Sequence, residues 1–240
     1  RTSPNALKKV IAIEGDITMD HLGISEEQRK ILMSEVTMVF HVAATIKFVD
    51  VIHSSVDLNV RAVRRVIELC KQMKSLKCLV HCSTAYSNCD LKNIDEVIYP
   101  APVDPVKIME MLDWMTPEVA DQMTPALIAP RPNTYTFTKA LAESYIGSHS
   151  RGIPTCIVRP SIVTGIWKDG IPGWVSGLHG AAAMLFAGSN GAATMVPGDD
   201  SAIVDYIPVD CVTNMMVAAA VKRMAVKDDS IPVYNCTSST

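Results

Sequence analysis

Four short runs of β-branched and apolar residues constrain the fold of this chain more than any other feature: "KKVIAIEGDI" (8–17), "VTMVFHVAAT" (36–45), "LKCLVHCSTAY" (76–86) and "IPTCIVRPSIV" (153–163). None of them alternates apolar with polar. A strand with one wet face alternates, whereas a strand covered on both faces is apolar nearly throughout. Between the second and third runs lies "SSVDLNVRAVRRVIELCKQMKS" (54–75), in which Val56, Val60, Val63, Ile67 and Cys70 recur at helical spacing with arginines on the opposite face. Strand, helix, strand in that order requires a right-handed parallel crossover. Repeated, the unit predicts an α/β fold with a doubly wound parallel sheet, one domain over 1–240.

Two stretches depart from that rhythm. Residues 93–132 carry seven prolines and two short helical patterns, and read as an insertion between a strand and the helix that holds Tyr135. Beyond residue 164 the chain is rich in glycine and alanine with weak secondary-structure signals, as a segment lining a substrate region or partly mobile would be. A dinucleotide-binding sheet ordinarily opens with a strand, a glycine-rich turn and a helix N-terminus that receives the pyrophosphate. No G-x-G-x-x-G follows a strand here, so the expectation is that the first strand-turn-helix lies upstream of Arg1.

Composition narrows the partners. A net charge of -3 provides no broad positive field, which disfavours nucleic acid and acidic membrane surfaces, while 48% hydrophobic residues suffice for a substantial core. The longest apolar runs, "AAAMLFA" (181–187) and "MMVAAAV" (215–221), fall well short of the roughly 20 residues that span a bilayer. Seven cysteines without C-x-x-C spacing predict buried free thiols, and His41, His81 and His179 are too scattered to suggest a metal site.

The chemistry concentrates in "RPNTYTFTKALAESY" (131–145). Tyr135 and Lys139, four apart, share one face of a helix that reads as amphipathic. A tyrosine with its ordinary pKa near 10 is a poor acid at neutral pH, and a nearby cation favours the phenolate and draws that value down. Alone, so short a motif is more often helix decoration. The stretch "HCSTAY" (81–86), however, places Ser83 and Thr84 at the carboxyl end of a buried strand, where open α/β sheets bind ligands. A hydroxyl there can hold a substrate carbonyl beside the tyrosine.

With "STAY", "YTFTKALAE" and "CIVRPSIV" following an "FHVAAT" strand, the chain resembles the extended short-chain dehydrogenase/reductase superfamily. More narrowly, "RPNTYTFTKALAE", "NIDEVIYPAPVDP", "LDWM" and "IPGW" resemble the alcohol-forming fatty acyl-CoA reductases, over nearly the whole chain from about residue 8. The resemblance implies NADPH-dependent reduction of a long-chain acyl-CoA to a fatty alcohol through an aldehyde, of use in ether-lipid or wax synthesis. It implies a catalytic set of Tyr135 as proton donor, Lys139 on the nicotinamide ribose, Thr84 orienting the carbonyl and Asn59 organising a proton-relay water. It also implies cofactor contacts at Asp16 and Ile17 (adenine), at Ala43, Ala44 and Thr45 (close backbone approach), at Ser83 behind Thr84, and at Arg159, Pro160, Ser161 and Ile162 (nicotinamide). Membrane association through a region outside this chain, on the cytosolic face of the endoplasmic reticulum or a peroxisome, follows by the same route. Two other readings stay open: another extended short-chain reductase or epimerase acting on a nucleotide sugar or sterol, and a cofactor-binding scaffold without turnover. The 51 positions separating Thr84 from Tyr135 are wider than a bare strand-to-helix connection and weigh against the first.

Overall fold

The computed structural model describes residues 5–178, 180–195, 198–199, 201–226 and 228–239. After helix α1 (Glu26–Glu35), capped by the Ser25 hydroxyl accepting from the Gln28 amide, come strand β1 (Met38–His41), helices α2 (Ile52–Val56) and α3 (Ala62–Cys70), and strand β2 (Cys78–Cys82). Helices α4 (Pro105–Trp114), α5 (Pro117–Ile128) and α6 (Thr134–His149) lead to strands β3 (Thr155–Pro160) and β4 (Ile162–Thr164). Helix α7 (Gly180–Ser189), strand β5 (Tyr206–Pro208), helix α8 (Val209–Ala225) and strand β6 (Val233–Cys236) follow.

The main sheet is parallel, in the order β1-β2-β3-β6. Its central strands are apolar throughout because successive side chains enter different cores. Leu79 and Ile157 point to the layer built from α2, α3 and α6, whereas Cys78, Val80, Cys156 and Val158 point to α8 through Val212, Met216 and Ala220. Both faces are therefore covered, as a doubly wound sheet requires. The expected helical stripe is the face buried against the sheet, with Val56, Val60, Val63, Ile67 and Cys70 all nearly inaccessible. Each such side chain contributes roughly 1.5–3 kcal/mol through burial. The helix is not continuous: Asp57–Arg61 forms a π-turn between α2 and α3, and Asn59 sits in it. The cysteines are free, and Cys70, Cys78, Cys156 and Cys236 are buried.

Two expectations need correction. The run 8–17 is not a strand; it has no ladder partner among the described residues, and Val10 and Ile11 are exposed. Apolar composition makes a strand only where a neighbour supplies hydrogen bonds and helices supply cover, and this run meets neither. Its backbone hydrogen bonds are local turn bonds, among them one from the Asp16 amide to the Leu22 carbonyl at 2.7 Å. Helix α6, in turn, is not amphipathic. It is wedged between the sheet and α2 to α5, so that polar and charged residues, including Thr138, Lys139 and Glu143, are buried beside Phe137 and Leu141.

The insertion forms α4 and α5, each opening on a proline in the first turn, where the missing N–H is not needed. Its apolar residues Ile108, Met109, Leu112 and Ala120 join the core on the α6 side.

Candidate active site

Parallel strands end together, and their carboxyl ends open into a cleft of about 700 Å³. Thr84, Tyr135 and Lys139 all line it, with Ala44, Ser83, Pro160, Ser161 and Ile162. The remaining walls are largely apolar, among them Ile46, Phe48 and Val163.

Local sequence explains how each group arrives there. Strand β2 stops at Cys82, and the Thr84 hydroxyl caps the next turn by accepting from the Tyr86 amide at 3.3 Å. Asn133 caps α6, accepting from the Thr136 amide at 2.9 Å, and so starts the helix two residues before Tyr135. One turn on, the buried Lys139 ammonium donates to the Cys82 carbonyl at 2.8 Å, tying the helix to the strand end.

The electrostatics differ from the simple pairing expected. Burial pushes the Tyr135 phenol above its ordinary value; the Thr84 hydroxyl pulls the other way, and Cys82 pushes it further up. The Lys139 ammonium is aimed at the Cys82 carbonyl, and burial lowers its own pKa against the opposing pull of Cys82 and Glu143. The phenol is thus held protonated, which is the state an acid needs before it donates. The Phe48 ring lies 5.8 Å from the Tyr135 ring and shields it.

Asn59 stands behind this wall. Its carbonyl oxygen accepts from the Thr45 amide at 2.9 Å, and its amide nitrogen donates to the Thr45 carbonyl at 3.2 Å and to Thr138 Oγ1 at 3.0 Å. Both amide protons are engaged, and the side chain clamps Thr45 against α6. Ala44 borders the cleft and Ala43 is exposed beside it.

Other expected contacts are placed differently. Asp16 and Ile17 are not part of the cleft wall: Asp16 Oδ1 accepts from the Thr18 amide and hydroxyl at 2.8 and 2.7 Å, and the Ile17 carbonyl accepts from Arg65 at 3.0 Å. Arg159 is fully buried and turned away from the cleft. Its Nε and Nη2 donate to the Glu143 carboxylate at 2.9 and 2.6 Å, and its remaining donors reach the Asp95 and Val97 carbonyls of the insertion at 3.0 and 2.7 Å. A guanidinium without solvent is stable only with such a full set of acceptors. Ser83 lines the cleft, and its hydroxyl proton is committed to Glu143 Oε1. His179 lies outside the described residues.

Glu143 is the residue the sequence reading missed. It follows Lys139 by four and Tyr135 by eight on one helix face, so helical spacing alone carried the signal. His41 and His81, side by side in register on β1 and β2, form a second unforeseen feature: their Nδ1 atoms meet at 3.1 Å.

A profile of the family described as "Male sterility protein", an NAD-binding family, matches residues 1–216. The chain belongs to this family. It is 40% identical over 238 residues to fatty acyl-CoA reductase 1 of Homo sapiens, covering 99% of this chain and 46% of that protein. To fatty acyl-CoA reductase 2 of Homo sapiens it is 41% identical over 235 residues, or 98% of this chain and 46% of the relative. The chain thus spans about half the length of the curated relatives it matches. Among solved structures it is similar to the terminal R domain of the myxalamid biosynthetic pathway, with TM-score 0.70, 21% identity and 100% and 53% of the two chains covered. It is also similar to UDP-glucuronic acid 4-epimerase of Bacillus cereus in complex with NAD, with TM-score 0.56, 19% identity and 92% and 60% covered. These likenesses establish the Rossmann-like reductase fold, and the family is one of nicotinamide-nucleotide proteins.

The cleft fits the nicotinamide half of such a cofactor. Among the described residues the Lys139 ammonium meets one protein acceptor, the Cys82 carbonyl, which leaves N–H donors at the cleft wall for ribose hydroxyls. Ala44, with its small side chain, allows close approach.

Proposed function

We propose that this chain carries the reaction centre of an NADPH-dependent fatty acyl-CoA reductase that forms an alcohol through an aldehyde. The observation that carries the reading is the convergence of the Thr84 and Tyr135 hydroxyls and the Lys139 ammonium on one cleft whose other walls are apolar. Similarity to fatty acyl-CoA reductases supports it.

The bound nucleotide would supply a hydride. The chain's own residues do the rest. Thr84 and Tyr135 donate to the thioester oxygen and stabilise the negative charge that develops there. Tyr135, held protonated by burial, delivers its proton to the oxygen when the aldehyde is reduced. Lys139 fixes the ribose side and holds α6 to the end of β2. The apolar walls take the part of the acyl chain next to the carbonyl. Residence on the cytosolic face of the endoplasmic reticulum or a peroxisome, by attachment outside this chain, belongs to the same proposal and is tested by fractionation. Among the described residues no helix is long and apolar enough to cross a membrane.

The test is NADPH oxidation with palmitoyl-CoA, with product analysis, by the protein made from its complete reading frame, for wild type and Tyr135→Phe. Fatty alcohol from the wild type and at least about a hundredfold less from the variant is expected. No oxidation with any acyl-CoA, or turnover indifferent to the substitution, would overturn the reading.

A further inference from the structure

The buried carboxylate of Glu143 is not accounted for by the chemistry above. One of its oxygens, Oε1, accepts from the Ser83 hydroxyl, from the Ser87 hydroxyl at 3.1 Å and from Arg159 Nε at 2.9 Å, and Oε2 accepts from Arg159 Nη2 at 2.6 Å. Both side chains of the ion pair are essentially inaccessible. Ser83 immediately precedes Thr84, and Glu143 lies one turn beyond Lys139 on α6. The strand-end segment 82–84 is therefore held to α6 twice: Lys139 takes the Cys82 carbonyl and Glu143 takes the Ser83 hydroxyl. The negative charge of Glu143 also acts on Lys139, raising the ammonium pKa against the effect of burial.

We propose that Glu143, locked by Arg159, is a positioning residue for the reacting hydroxyl pair: it sets Thr84 against Tyr135 through Ser83 and holds the strand end against α6 beside Lys139. The proposal rests on the reading of Thr84, Tyr135 and Lys139 given above. A purely structural pair would need only its own geometry, and a buried ion pair can commonly be exchanged for apolar residues of similar volume without loss of folding. What such an exchange would not preserve is the bond to Ser83. Misplacement of a reacting group by an ångström or less lowers turnover strongly.

Two variants separate the roles, again in the protein made from its complete reading frame. Glu143→Gln keeps the shape and removes the charge. The double variant Glu143→Leu with Arg159→Met removes the pair without leaving a buried charge unpaired. Glu143→Gln is expected to lower kcat about tenfold or more and to move the alkaline limb of kcat/KM to lower pH, because Lys139 loses its supporting charge. The double variant is expected to melt cooperatively and still to lose kcat about tenfold, with KM for acyl-CoA changed much less. A folded double variant with wild-type kcat, or a folded Glu143→Gln with an unmoved profile, would overturn the proposal. So would failure of both variants to fold, since the pair would then be a folding determinant. NADPH binding followed by fluorescence keeps the two readings apart. If the wild type binds NADPH but turns over no acyl-CoA, the substrate reading fails, whereas binding weakened about fivefold or more by Glu143→Gln would still support the positioning of Lys139.

Discussion

The His41–His81 pair makes this fold labile to mild acid, and the size of the effect follows from the structure. The rings face each other across neighbouring strands, both buried, with Nδ1 atoms 3.1 Å apart and neither Nε2 atom partnered among the described residues. Burial, with Lys139 nearby, depresses His41 from 6.5 to about 4; burial, Lys139 and His41 hold His81 well below its ordinary value. In the unfolded chain both rings titrate near 6.5. Between pH 6.5 and 4 the unfolded state therefore binds more protons, so stability is complete at higher pH and is lost as pH falls through that window. His41 alone costs about 2 kcal/mol at pH 5 and about 3 kcal/mol at pH 4, at roughly 1.4 kcal/mol per unit. His81 adds to this in the same direction. The carboxylates with lowered values, such as Asp16, Asp205 and Asp228, lose their contribution only at lower pH, as they protonate below the ordinary carboxylate value of 3.8. Urea unfolding at pH 7, 6 and 5, followed by circular dichroism, should show midpoints falling with pH in the wild type and much less in His41→Leu/His81→Leu. A wild type equally stable at pH 7 and pH 5, or a double variant as steep as wild type, would refute the reasoning.

Two further outcomes are expected. Asn59→Ala removes three hydrogen bonds and strands the Thr45 backbone groups; it should cost about 1–3 kcal/mol, speed exchange of the Thr45 amide and weaken NADPH binding. Ala181→Phe, at the start of α7 where it borders the cleft, should exclude part of the acyl chain. KM should then rise about fourfold for each methylene displaced, so palmitoyl-CoA suffers more than octanoyl-CoA, measured by steady-state kinetics.

What was legible in the sequence was whatever a single element reports about its own surroundings. The stripe from Val56 to Cys70 announced a helix with one buried face, and the unalternating runs at 76–86 and 153–163 announced strands with cover on both sides, because burial is written into those residues directly. The same rule misled at 8–17, where apolar residues have no neighbouring strand among the described residues. Side-chain commitments were harder. Arg159, Ser83 and Asn59 carry groups suited to binding a ligand, and each is instead spent on a partner between 14 and 60 positions away that no local pattern reveals. Glu143 was hidden for the opposite reason: a carboxylate in a helix reads as solvated until the helix is known to be buried on nearly every side.

The placement of the insertion gives its 40 residues a role different from that of a lid. Residues 93–131 do not line the cleft; α4 and α5 pack behind α6. Their last residue before the site, Arg131, is buried and donates to the Ser87 carbonyl at 3.1 Å and to Asn88 Oδ1 at 3.4 Å, and pairs with Asp90 at 3.2 Å. Those acceptors belong to the turn that Thr84 begins. Three side chains, Arg131 before Tyr135, Lys139 one turn after it and Glu143 two turns after it, therefore bind segment 82–90 to the start of α6. Arg159 carries the same network back to the insertion through the Asp95 and Val97 carbonyls. Hydroxyls aimed at a developing oxyanion are effective to the extent that they are fixed before the reaction begins. The insertion contributes by supplying acceptors and an arginine to that frame, and it leaves the cleft open.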